Sequence, residues 1–229
     1  MTALIVPAYN EEPVVGIMLR RIPPGLFDLI IVSDNGSTDG TAEAAAAAGA
    51  TVVRQPERGY GAACLAAIAA LPADIGIVVF LQADASEDAA EAALLIAPIA
   101  DGRADLVIGS RTMGGADPDS LAPHQRFGNW LATFLIRIIW RHEYSDLGPF
   151  RAIGVDALRR LRMADRNYGW TVEMQIKALQ LGLRVLEVPV SYHARVAGTN
   201  KVSGDLRASL RAGWVILSTV VRLGRKQAV

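Results

Sequence analysis

Cysteine is the scarcest residue: only Cys64 occurs among 229 residues. A lone cysteine excludes an internal disulfide and any multi-cysteine zinc or iron–sulfur site, and a reducing compartment is the natural setting for such a chain. A charge surplus is missing too. Lys+Arg number 23 and Asp+Glu 23, so the basic excess that marks a nucleic-acid footprint is absent and no nucleic-acid partner is expected. The three histidines, His124, His142 and His193, are too scattered to argue for a metal cluster. No window reaches the ~18 uninterrupted apolar residues that a membrane-spanning helix needs. Met1-Thr2-Ala3 runs straight into a strand-like segment with no basic leader, so no signal peptide is expected. Two common phosphate loops are also lacking. No Gly-rich dinucleotide fingerprint follows the first strand, and there is no Gly-Lys-Ser/Thr loop. Gly59-Tyr60-Gly61 resembles the fingerprint only loosely and follows the third strand.

What is present is an alternation of short apolar runs with helical patterns. Ala3–Ala8, Leu29–Ser33, Thr51–Arg54, Ile75–Leu81 and Leu106–Gly109 read as buried strands. Between them lie helix-like segments at Glu11–Arg21, Thr41–Ala48, Ala62–Ala70 and Ala89–Ala100. Nearly continuous apolar strands separated by helices predict an α/β fold with a mostly parallel, Rossmann-like sheet flanked by helices. The length fits a single domain over 1–229, large enough to bury its own core. After Arg111 the rhythm changes. A Gly/Pro/Asp-rich loop (Met113–Pro123) precedes a long helix-like stretch, an extended Phe150–Ile153, a helix over Thr171–Leu181 and a strand over Leu183–Tyr192. A basic loop, His193–Lys201, leads to a terminal amphipathic helix.

Ligands of open α/β sheets gather at the carboxyl ends of the strands. Four consecutive ends here are polar: Pro7-Ala8-Tyr9-Asn10-Glu11-Glu12, Ser33 to Thr41 (SDNGSTDGT), Gln82-Ala83-Asp84 and Gly109-Ser110-Arg111. Any one could be a turn or a helix cap; together they favour a site.

These segments resemble the family 2 glycosyltransferases of the GT-A fold, and most nearly the dolichol-phosphate mannosyltransferase-like branch. Val6-Pro7-Ala8-Tyr9-Asn10-Glu11 is similar to V-P-x-Y-N-E, Asp34 to Thr41 to D-D/N-x-S-x-D-G-T, Gly59-Tyr60-Gly61-Ala62-Ala63 to G-x-G-x-A and Gly109-Ser110-Arg111 to G-S-R. Asp146 to Arg151 resembles D-x-x-S-G-F-R, and Glu187-Val188-Pro189-Val190 resembles E-V-P-[V/I] with its trailing basic loop. The resemblance implies a nucleotide-sugar-binding half (1–111) and an acceptor-side half (112–229). It implies that Pro7, Tyr9 and Glu11 line a nucleotide pocket, that Asp34 accepts hydrogen bonds from the base, and that Arg111, Arg126, Arg195 and Lys201 face phosphate. Gln82 and Asp84 fall on the D-x-D position, which implies a Mg2+ or Mn2+ ion bridging a donor diphosphate. The first Asp is replaced by Gln, which offers a carbonyl oxygen but no charge, so metal binding weaker than usual for the family is expected. A degenerate module that binds a nucleotide sugar without turnover stays open for the same reason.

Family 2 membership implies inverting transfer of a hexose from a GDP- or UDP-linked donor. A hydroxyl acceptor needs a general base, for which Glu173 and Asp146 are the candidates. A polyprenyl phosphate is already ionised and needs cations instead. Trp130–Trp140 and Ala212–Val221 carry Trp and are flanked by Arg, as in helices that lie in a membrane interface. Phe127, Trp130, Leu131, Phe134, Leu135 and Ile138 recur at three- and four-residue steps, a stripe suited to core packing, a homodimer seam or a membrane-facing surface. The expected location is the cytoplasm, with peripheral contact at the inner membrane face.

Overall fold

The computed structural model describes residues 1–114, 116–117, 123–194 and 206–225, with backbone alone for 124, 206–212 and 225. Arg195 and Lys201 lie outside the described residues.

The first half builds the predicted alternation: β1 (Thr2–Ala8), α1 (Glu12–Arg20), β2 (Leu29–Asp34), α2 (Thr41–Ala47), β3 (Thr51–Arg54), α3 (Tyr60–Ala69), β4 (Ile77–Phe80), α4 (Ala92–Ala100) and β5 (Leu106–Ser110). The strands are rich in Val, Ile and Leu, which fit a surface buried on both faces. In α1, Pro13 stands in the first turn with Glu12, and Arg20 closes the last turn, matching the helix dipole at both ends. Alanine alone suffices for α2.

The second half adds α5 (Arg111–Gly114), α6 (Pro123–Trp140), β6 (Arg151–Gly154), α7 (Val155–Leu161), α8 (Trp170–Gln180), β7 (Val185–Pro189) and α9 (Leu206–Arg225). All seven strands join one sheet in the order β3-β2-β1-β4-β6-β5-β7. The pairs β1–β2, β1–β4, β2–β3 and β5–β7 are parallel. β6 runs antiparallel between β4 and β5. Its sequence pattern marked an extended segment without its direction, and the cause lies in its neighbours. β5 ends at the carboxyl edge, α5 and α6 follow it there, and Leu147 and Pro149 line a cavity at that edge, so β6 starts where β5 stopped. Two helices were not foreseen: α5, which runs into the start of the Met113–Pro123 segment read as a loop, and the seven-residue α7, stopped by Arg162 in a left-handed conformation (φ +45°).

One core lies on each face of the sheet. α3, α6, α7, α8 and α9 cover one face, where Phe80 meets Trp170 edge-on at 6.1 Å. α1, α2 and α4 cover the other. Cys64 is buried in the first core, where burial pushes its thiol pKa up.

The α7–α8 loop is clamped across the turn before α3. The backbone N–H of Ala62 donates to the Arg166 carbonyl at 2.9 Å, and Arg166 pairs with Glu57. A Cβ on Gly59 would lie 2.1 Å from the Arg166 carbonyl oxygen, and one on Gly61 2.0 Å from that of Asp165. Gly59 also has φ +147°. These glycines therefore admit another loop's backbone, which accounts for a Gly-x-Gly that is not a dinucleotide fingerprint.

Gly61→Ala should lower unfolding free energy by about 1–3 kcal/mol through overpacking. Gly128→Ala, in α6 where an added Cβ meets nothing within 4 Å, should raise it by about 0.5–1 kcal/mol. Urea unfolding of the two variants beside the parent checks the contrast.

Candidate active site

The carboxyl ends of β1, β4 and β5 open on a cavity of about 550 Å³. Pro7, Tyr9 and Glu11 come to it from the β1 end, Gln82 and Asp84 from the β4 end and Arg111 from the β5 end. Six of the residues expected at a site thus share one cleft. The second half contributes Gln125, Leu147, Pro149, Asn167, Tyr168, Thr171, Tyr192 and Ile216.

The β1 and β2 loops lock each other. The Thr38 N–H donates to Asn10 Oδ1 at 2.8 Å, the Glu11 N–H to Thr41 Oγ1 at 2.8 Å and the Gly40 N–H to Glu12 Oε2 at 2.9 Å. Within that lock Asp34 is buried and accepts from the Ser37 N–H at 3.1 Å; it does not line the cavity. Asn35 does. Its Nδ2 donates to the Glu57 carbonyl and its Oδ1 accepts from the Gly59 N–H at 2.7 Å, fixing the turn that carries Arg58. The Arg58 guanidinium lies 3.1 Å from the centroid of the Tyr9 ring, a cation–π contact that makes a flat wall. Sequence reasoning gave Arg58 no role; the signal that could have found it is its place directly before the Gly59-Tyr60-Gly61 turn.

Asp84 is buried and accepts from Ser86 N–H at 3.0 Å and from the Ser86 hydroxyl. Glu87, one turn on, accepts from the Gln82 N–H at 3.1 Å through Oε2, while its buried Oε1 has no hydrogen-bond partner. Burial pushes this carboxyl's pKa up to about 8, with the Asp84 charge also raising it and the Gln82 N–H and Arg111 opposing. Asp84 and the Gln82 side-chain carbonyl bring oxygen donors to the cavity, the kind a hard divalent cation takes, while Glu87 is buried and does not line it. Among the described residues no three His, Cys, Asp or Glu form a ready cluster, so such an ion would lean on ligand phosphate oxygens. Asp88 caps the following 3-10 turn through the Ala90 N–H.

Arg111 is held by Asp146 in a fork: Nε to Oδ2 and Nη2 to Oδ1, each 2.7 Å, with the Arg111 N–H adding a third bond at 3.0 Å. Burial alone would lower the guanidinium pKa; the Asp146 hydrogen bonds and charge overcome this and raise it. Asp146 itself is fully buried and away from the cavity lining, and thus orients Arg111. Tyr192 covers the guanidinium at 5.1 Å. Beneath, the fully buried Arg151 donates to the carbonyls of Thr171, Leu147 and Gly148, and Leu147 and Thr171 belong to the lining.

Glu173, expected near the acceptor, is 2% exposed and outside the lining. It accepts from the N–H groups of Ala164 and Asp165 and pairs with Lys177 at 2.8 Å, so it anchors the loop that presents Asn167 and Tyr168. Arg126 is exposed on α6, and its neighbour Gln125 lines the cavity instead.

The family model described as Glycosyl transferase family 2 matches residues 3–162. The chain belongs to glycosyltransferase family 2. As a family 2 glycosyltransferase it is 37% identical over 219 residues to an uncharacterised glycosyltransferase of Mycobacterium tuberculosis, covering 94% of this chain and 97% of that protein. It is 28% identical to the undecaprenyl-phosphate mannosyltransferase of Micrococcus luteus, over 88% of this chain and 87% of the other. Among solved structures, Mycobacterium tuberculosis glucosyl-3-phosphoglycerate synthase in complex with Mn2+, UDP-glucose and phosphoglyceric acid superposes with a TM-score of 0.78 at 26% identity, over 98% of this chain and 79% of that one. The sheet and its flanking helices are thus of GT-A type, and the protein is a glycosyltransferase enzyme.

Asp146→Asn should cost about 3–5 kcal/mol, since it leaves the Arg111 cation without its buried partner. Chemical denaturation reads the loss, and calorimetric titration with a nucleoside diphosphate should show weaker binding in the same variant.

Proposed function

We propose that this glycosyltransferase moves a hexose, with inversion, from a GDP- or UDP-linked donor to a polyprenyl phosphate. The observation that carries the acceptor reading is the composition of the second wall. Among the described residues, the acceptor-side lining offers amide, hydroxyl and apolar groups but no carboxylate. A hydroxyl acceptor needs a base within hydrogen-bond reach, whereas a phosphate monoester arrives ionised and would take its cation from Arg111, which lines the same cavity. The mannosyltransferase relative, named for undecaprenyl phosphate, supports the same class. A phosphorylated small acceptor is the second reading, favoured by the phosphoglyceric acid in the complexed structural neighbour.

In this reading Tyr9 and Arg58 hold the nucleoside, and Arg111, fixed by Asp146, meets the diphosphate with its planar fork. A phosphate oxygen of the acceptor attacks the anomeric carbon, the bond from that carbon to the donor phosphate breaks, and the nucleoside diphosphate leaves with the electron pair. Mg2+ or Mn2+ would be held by Asp84 and Gln82. The chemistry such a cation supplies is neutralisation of charge building on the leaving diphosphate. With one carboxylate where two are usual, its affinity depends more heavily on the donor.

Asp84→Ala should weaken Mn2+-dependent binding of a nucleoside diphosphate by about tenfold or more, and Gln82→Asp should strengthen it; calorimetry with and without Mn2+ measures both. The acceptor class is tested by incubating the enzyme with GDP-mannose or UDP-glucose, Mn2+ and either undecaprenyl phosphate or 3-phosphoglycerate. Sugar appearing on the lipid supports the proposal. Transfer to phosphoglycerate alone overturns the acceptor, and bound donor that never releases sugar under any condition overturns turnover itself.

A further inference from the structure

The long stripe on α6 divides in the structure. Ala132, Thr133 and Ile136 face the core, while Phe127, Trp130, Phe134 and Ile138 are exposed, at 61%, 56%, 43% and 60%. Their steps of three and four residues set them in one line along the helix. Trp130 stacks on Phe134 with centroids 5.5 Å apart, and Phe127 lies tilted against Trp130 at 5.8 Å. On the neighbouring α9, Trp214 is 74% exposed and Val221 also faces outward. The two helices pack together where Gly224 meets Ile139. Seven of the twelve large apolar side chains exposed among the described residues lie on these two helices. Scattered exposure is ordinary, but a concentration of this kind marks a partner.

Charge distinguishes the partners. α6 carries Arg126 and Arg137 and α9 carries Arg222, all three exposed, and neither helix has an Asp or Glu. Arg137 reaches Glu143 and Arg222 reaches Asp165, through pairs open to solvent on the arginine side. A second copy docking isologously would set this same basic patch against itself. An anionic bilayer complements both features, with acyl chains for the aromatic row and phosphates for the arginines, and Trp prefers that interface. The same two helices turn their other side to the cavity, where Gln125 of α6 and Ile216 of α9 belong to its lining.

We propose that the outer faces of α6 and α9 form a docking surface for an anionic phospholipid bilayer. This goes beyond the acceptor assignment and stands on the exposed face alone.

The test is sedimentation of the full chain with vesicles. Phosphatidylcholine vesicles containing about one-third phosphatidylglycerol should bring the protein down, pure phosphatidylcholine should do so poorly, and added salt should release it. Trp130→Gln combined with Phe134→Gln should weaken vesicle affinity by about tenfold or more, with melting temperature and nucleoside diphosphate affinity unchanged. The proposal is overturned if the parent ignores anionic vesicles, or if the double variant binds them as well as the parent. It is likewise overturned if light scattering finds a dimer that the double variant dissociates while neither form binds vesicles. Donor turnover without vesicle binding defeats the docking surface alone; vesicle binding without transfer to undecaprenyl phosphate defeats the acceptor assignment alone.

Discussion

The fork between Arg111 and Asp146 is the contact on which the site depends. Two charges are taken out of water there, and such burial is tolerated only when the geometry is good and the remaining polar atoms are satisfied. Both conditions are met. Asp146 binds two of the three guanidinium nitrogens and the Arg111 backbone. Its own backbone is tied on either side, the N–H to Glu187 of β7 and the carbonyl to Gln175 of α8. Gln175 in turn reaches Arg151 of β6. Through this network the end of β5, the sheet edge and the second wall of the cavity are fixed relative to one another.

The cavity is consequently a joint product of the two halves. The first half brings the groups suited to a nucleotide and its phosphates: Tyr9 with Arg58 above its ring, Asp84 with Gln82, and Arg111. The second half brings a neutral wall whose shape is set from behind by charged residues that never reach it. Glu173 and Lys177 hold the α7–α8 loop, and Arg151 gathers the carbonyls of Leu147, Gly148 and Thr171. The charges here serve positioning, and the surface they shape is left with amide, hydroxyl and apolar chemistry.

Much of this was legible in the sequence because it is local. Strands appear as short apolar runs, and the polar ends of β1, β4 and β5 did converge on one cleft. What failed to show were relations that depend on distant segments. Asp34 looks like a ligand-binding carboxylate, but the nearby Ser37 N–H claims it, and Asn35 faces the cavity. Glu173, at the head of a helix, was a candidate base for the acceptor, yet two backbone N–H groups from the preceding loop take it. The direction of β6 is set by where α6 leaves the chain, and no pattern within Arg151–Gly154 encodes that. The α6 stripe was visible, but which of its edges meets the core depends on its neighbours.

The approach of the α7–α8 loop to Gly59 and Gly61 bears on how this enzyme can diversify. Backbone from two segments about a hundred residues apart meets there with no room for even a methyl group. The turn before α3 and the loop carrying Asn167 and Tyr168 therefore behave as a single heritable unit. A recombinant that joins one homologue's first half to another's second half would inherit mismatched surfaces at this seam unless both segments travelled together.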